Sequence, residues 1–170
     1  DGTFNSLPDS EVMMIDGRVE LICGINLNAT INNVRCNGES NGSVNLIITG
    51  GDSPYTVEWE WDNGNGSQVD NGVTINSLIV GQRADTYCVT VTDGAGDTST
   101  ACYDITEPDP IVIEVDVMGS AVSIDYSGGN SMLTEEISPA ISDLNNVPDG
   151  TYTVTVTDSR GCTESEVFVI

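Results

Sequence analysis

Apolar and polar residues alternate with a period of two along most of the chain, and no stretch holds a helical period. The clearest run is "YTVEWEW" at 55–61. Tyr55, Val57, Trp59 and Trp61 share one face, and Thr56, Glu58 and Glu60 share the other. Such alternation is the pattern of a half-buried strand. It recurs in "INLNATINNVRC" (25–36), "VNLIIT" (44–49), "TYCVTVTD" (86–93), "TSTACYDI" (98–105), "AVSIDYSGG" (121–129), "TYTVTVTD" (151–158) and "TESEVFVI" (163–170). Clusters of Gly, Asn, Asp and Ser separate these runs, as turns require. "EVMMI" and "RVELIC" flank Asp16-Gly17, a strong two-residue hairpin signal. "TEPDP" at 106–110 bars a regular element through Pro108 and Pro110, and is read as a domain boundary.

The pattern is also duplicated. "TYCVTVTD" returns as "TYTVTVTD" 65 positions later, with seven of eight letters unchanged. "AVSIDYSGG" echoes "SVNLIITGG" at 43–51, and "ISDLNNVPDG" echoes "INSLIVGQRAD". Short strands at this spacing predict all-β sandwiches. Repeat 2 lacks a counterpart to "NVRCNGESNG" (33–42), which would leave an open sheet edge. The spare hairpin at 11–24 is expected to fill that gap, within the chain or from a neighbouring copy by strand donation. Val12, Met14, Val19, Leu21 and Cys23 are its candidate assembly residues.

Charge narrows the chemistry. Of 170 residues, 27 are acidic and four basic, all arginine, for a net charge of −23; Lys and His are absent. Nucleic acid and anionic membranes are excluded as partners, because phosphate binding needs clustered Lys and Arg. Without His there is no Ser-His or Cys-His nucleophile pair, and without Lys no Schiff base or Lys–Asn isopeptide staple. An acidic surface keeps a protein soluble at high local density, or lets it meet divalent cations. No apolar run approaches 18 residues, so no membrane-inserted helix is expected.

The five cysteines form no C-x-x-C pair and read as disulfides from an oxidising compartment. If Asp93–Asp97 is a hairpin loop, Thr92 opposes Thr98. Cys88 then lies opposite Cys102 on the outer face, within disulfide reach. The alternatives are two free, partly covered thiols or Cys36 bonded to one of them. With Cys88–Cys102 formed, Cys23, Cys36 and Cys162 are left. Cys23–Cys36, Cys23–Cys162 and a bond between subunits all stay open, and the odd number leaves one thiol free or bonded outside the chain.

Cys36, Gly42, "GGDSPY" (50–55), Trp59, Gly64, Leu78 and "TYCVTVTD" stand in an order that resembles the SprB-type repeat of Bacteroidota surface proteins. The resemblance covers 26–108 well and 111–170 in part. It implies Ig-like sandwiches, secretion to the cell surface, and a role in adhesion or scaffolding within a tandem array; it implies no catalytic residue. Two departures stand out. Repeat 1 has the family's early cysteine, Cys36, but Asp97 at the Gly-Cys position; repeat 2 has Gly161-Cys162 but no early cysteine. Each repeat thus keeps one half of what resembles a family disulfide. The within-repeat staple looks dismantled in both copies, with Cys88–Cys102 replacing it in repeat 1 and Cys162 freed to hold something outside its own repeat.

The expectation is therefore all-β: two tandem Ig-like β-sandwich domains with an N-terminal hairpin extension. The extension takes 1–24, repeat 1 takes 25–107 and the shorter repeat 2 takes 108–170. The chain is expected to be non-enzymatic, a structural and adhesive module of an extracellular fibre or giant adhesin. Its partners would be neighbouring repeats, copies of itself, a polysaccharide or another cell surface. The alternative is a carbohydrate-binding module using Trp59 and Trp61. Glu58 and Glu60, roughly 7 Å apart by strand geometry, match a glycosidase spacing but read as a solvated face. Asp93, Asp97 and Asp158 are candidate calcium ligands, though Asx-turn capping explains the strand-ending Asp93 and Asp158 as well.

Overall fold

The computed structural model describes residues 10–15, 18–61, 68–70 and 76–170, with side chains described at 24–61 and 77–170. Among these residues every regular element is a strand, β1 to β14 in chain order. The chain divides into two compact units. Unit 1 comprises Asp1–Asn33 and Asn41–Ile105; unit 2 comprises Val34–Ser40 and Thr106–Ile170.

In unit 1, β1 (Ser10–Ile15) and β2 (Arg18–Cys23) form a separate two-stranded antiparallel sheet. Its register sets Val12 opposite Leu21, Met14 opposite Val19 and Ser10 opposite Cys23. β3 (Asn26–Asn32), β4 (Gly42–Thr49) and β7 (Asn76–Gln82) form a sheet in the order β3-β4-β7. β5 (Thr56–Trp61), β6 (Gln68–Asp70), β8 (Asp85–Thr92) and β9 (Thr98–Ile105) form the other, ordered β6-β5-β8-β9. The period-two pattern becomes burial. Val44, Leu46 and Ile48 of β4, Val57 and Trp59 of β5, and Tyr87, Val89 and Val91 of β8 are all buried. Each such side chain contributes about 1.5–3 kcal/mol on leaving water.

In unit 2, β10 (Val112–Met118) pairs with β11 (Ala121–Ser127), and β12 (Thr134–Ser138), β13 (Thr151–Thr157) and β14 (Thr163–Val169) make a sheet in that order. Val122, Val147, Tyr152, Val154, Val156 and Phe168 form its core, with Ile111, Ile113, Val115 and Ile124 packed against it.

The sequence echo is a structural one. Tyr87 and Tyr152, the tyrosines of the repeated phrase, each donate a hydroxyl hydrogen bond four residues back, to Arg83 O and Pro148 O at 3.0 Å. This is the tyrosine-corner arrangement of Ig-like sandwiches. The paired glycines correspond too: Gly50 and Gly51 after β4, and Gly128 and Gly129 after β11, all have positive φ. At Gly128 a Cβ would stand 1.9 Å from Pro110 O, so both backbone angle and space demand glycine there.

Two features of the organisation differ from the sequence reading. Val34–Ser40, read as part of repeat 1, groups with unit 2. The β1–β2 hairpin, expected to complete repeat 2 within the chain or from a neighbouring copy, groups with unit 1 of its own chain; the segment joined to unit 2 falls within the stretch that repeat 2 lacks in its own sequence.

Candidate functional site

Unit 2 is built around a clasp. Val34 is fully buried, and its N–H donates to Thr106 O at 2.9 Å. Asn37 Nδ2 donates to Pro108 O at 3.1 Å, and the Gly38 N–H donates to Glu107 Oε2 at 2.7 Å. Arg35 Nε donates to Arg160 O at 2.8 Å, and its Nη2 donates to the same oxygen. Asn130 Nδ2 donates to Arg35 O at 3.3 Å. Cys36 completes the attachment through a disulfide to Cys162, with Cα atoms 5.6 Å apart.

The receiving loop, 158–162, is organised by one carboxylate. Asp158 Oδ1 accepts the N–H groups of Arg160 (2.8 Å) and Cys162 (2.9 Å), and Oδ2 accepts Asn130 N–H (2.8 Å) and Nδ2 (2.7 Å). Burial alone raises the Asp158 carboxyl. The donors from Asn130, Cys162 and Arg160 outweigh burial and hold the group well below the ordinary carboxylate range. Unit 1 repeats the device. Asp93 accepts N–H groups from Asp52 (2.9 Å), Ala95 (3.0 Å) and Asp97 (2.9 Å). The Asp52 N–H leads in lowering its pKa, burial opposes, and Asp97, Ala95 and Gly96 add to the lowering. At this position Asp97 occupies the place that Cys162 holds in unit 2.

A cleft of about 310 Å³ lies beside the clasp, lined by Cys36, Glu39, Asp109, Asp158, Gly161 and Cys162 among others. Among the described residues no group of three or more Cys, Asp and Glu side chains is placed to hold a metal ion. The oxygens of Asp93 and Asp158, weighed as calcium ligands, face backbone N–H groups. Asp97 enters this network through its own N–H.

The remaining candidates separate cleanly. Thr92 opposes Thr98, Cys88 opposes Cys102, and these two cysteines are disulfide-bonded. Glu58 and Glu60 are exposed on the outer face of β5, opposite Thr90 and Cys88 of β8. Trp59 has no exposed surface, and its Nε1 donates to Ser77 Oγ at 3.0 Å. That corrects its candidacy as a sugar platform: a ring sealed in the core cannot stack on a ligand. Trp61 is half-buried with its ring 5.6 Å from that of Tyr87. The pairing of Cys23 falls outside the described side chains; the other four cysteines are taken.

Sequence reasoning placed Cys36 and Cys162 in separate roles. The structure joins the two half-staples to each other. Val34, Arg35, Asn37, Glu107 and Asn130 were not singled out at all. The available signal was the complementary loss: a cysteine segment missing from repeat 2 and a cysteine without its usual partner in repeat 1.

Residues 28–66 match the family model of the SprB repeat. Over that stretch the chain is similar to the SprB repeat. The matched stretch runs from within β3 past β5 and includes the whole Val34–Ser40 segment with Cys36. No curated protein matches the chain. The SprB repeat is a family of surface proteins, and two disulfides suit an extracellular setting.

Proposed function

We propose that the chain is a non-enzymatic structural and adhesive module of an extracellular surface fibre or giant adhesin. One observation carries this reading: the cysteine segment of the SprB-type repeat is built into unit 2 and fixed there by the Cys36–Cys162 bond. Such covalent interlocking favours a part whose work is to hold together outside the cell, where disulfides persist. The acidic surface fits the same role, keeping densely displayed copies from clumping.

Immunogold labelling of the producing cells tests it. Label on surface fibres is the expected result; label confined to the cell interior refutes the reading. A glycan array run on the same purified chain tests the adhesive part. Binding that disappears in Trp61→Ala would establish a carbohydrate-binding module in its place, because Trp61 is the tryptophan that retains exposed surface.

A further inference from the structure

Covalent connectivity, not only packing, decides how a chain carries tension. The Cys36–Cys162 bond joins residues 126 apart in sequence. It closes a loop over 37–161, which contains β4 to β13 entire, together with the second disulfide, Cys88–Cys102. Among the described residues, the buried apolar side chains outside that loop are Val34 and Phe168, with Cys162 as its anchor. Val44, Leu46, Ile48, Trp59, Val89, Val91, Val122, Val154 and Val156 all lie inside it.

We propose that the Cys36–Cys162 bond is a force bypass: tension applied at the two ends of the chain crosses from residue 36 to residue 162 and leaves 37–161 unloaded. The loaded elements are then the β1–β2 hairpin, β3 and β14. Both β3 and β14 are edge strands, in the sheets β3-β4-β7 and β12-β13-β14. Within its sheet each is hydrogen-bonded to one strand, β4 or β13, and can be stripped without breaking the bonds between that strand and the next. Under load the module surrenders two edges and a hairpin while the centres of both sandwiches stay out of the path. The value of this in a surface fibre rests on the function proposed above; the load path itself does not, and it is measured without any ligand or cell.

The test is single-molecule force spectroscopy on the full chain held between marker domains. At about 3.5 Å per residue, the residues outside the loop can pay out about 155 Å and those inside it about 440 Å. The oxidised protein is expected to stop at the shorter length. Cys36→Ser/Cys162→Ser should pay out about 390 Å more, because the Cys88–Cys102 loop still hides about 45 Å. Cys88→Ser/Cys102→Ser alone should leave the oxidised extension unchanged, since that bond lies within the unloaded loop. Added to the first pair, it should release the last 45 Å or so. Reductant applied to a wild-type molecule already held at the short length should convert it to the long one. Extension of the oxidised wild type beyond the short length, no gain in Cys36→Ser/Cys162→Ser, or a longer oxidised Cys88→Ser/Cys102→Ser chain would each overturn the proposal. Contour length is set by covalent connectivity, so a variant that folds poorly still reports it.

Discussion

Opening the clasp should destabilise the two units unequally, and the size of the inequality can be worked out. Consider Cys36→Ser/Cys162→Ser. Closing a loop of about 127 residues removes roughly 4.9 kcal/mol of chain entropy from the fully unfolded state. Unit 2 has the smaller set of buried core residues and is expected to unfold first. With unit 1 still folded, only about 62 residues of the loop are free chain, and the constraint is worth about 4.3 kcal/mol. The dependence on length is logarithmic, so unit 1, unfolding second, loses only the difference of roughly 0.6 kcal/mol. Losing about 4 kcal/mol from a unit of this size lowers its midpoint by roughly 15 °C or more. Both tryptophans, Trp59 and Trp61, belong to unit 1, so their fluorescence reports that unit, while far-UV circular dichroism reports both. Urea titration of the variant should give an early dichroism step absent from the fluorescence trace. A fluorescence midpoint that falls as far as the dichroism one, or a dichroism curve within about 1 kcal/mol of wild type, would refute the reasoning.

Cys88→Ser/Cys102→Ser should do the reverse. Its loop of about 15 residues is worth about 3 kcal/mol, so the tryptophan transition should move and the unit 2 step stay in place. Asp158 and Asp93 have folded-state pKa values below their unfolded ones, so their contribution is full above about pH 4 and is lost as pH falls through the depressed values. Acid titration followed by circular dichroism should show this loss, and Asp158→Asn should be less stable at pH 7 but have a flatter acid limb. Tyr152→Phe removes the donor to Pro148 O, and urea titration should show unit 2 weakened by about 0.5–1.5 kcal/mol. A chelator should leave the melting temperature unchanged, because the oxygens of Asp93 and Asp158 already accept N–H groups.

The strands were legible because Val, Ile and Thr in strict alternation can bury one face only as a half-covered sheet. "TYTVTVTD" gives Tyr152, Val154 and Val156 inward and the threonines outward with no other input. The Cys88–Cys102 register was legible for a local reason: a five-residue loop fixes what stands opposite what. The clasp was not, because its contacts join residues 69 to 126 positions apart and Val34 looks like any other strand valine until Thr106 meets it. Residue type also failed to decide the role of Asp93 and Asp158. A strand-ending aspartate serves a cation or a ring of N–H groups equally well, and only the positions of Asp52 and Asn130 separate the two. Trp59 and Trp61 likewise share a face in sequence. Burial divides them.

The membership of Val34–Ser40 in unit 2 also bears on heredity. A repeat array grows and shrinks by gene recombination at the seams between modules. Here the linear seam, Ile105/Thr106, is not the whole seam. A crossover there would pass on β10 to β14 without Val34, Arg35 and Cys36, and would leave the upstream copy carrying a cysteine segment with nowhere to lodge. Were such units duplicated, deleted or shuffled, the shortest contiguous stretch carrying unit 2 together with its cysteine segment would also carry Asn41–Ile105 of unit 1.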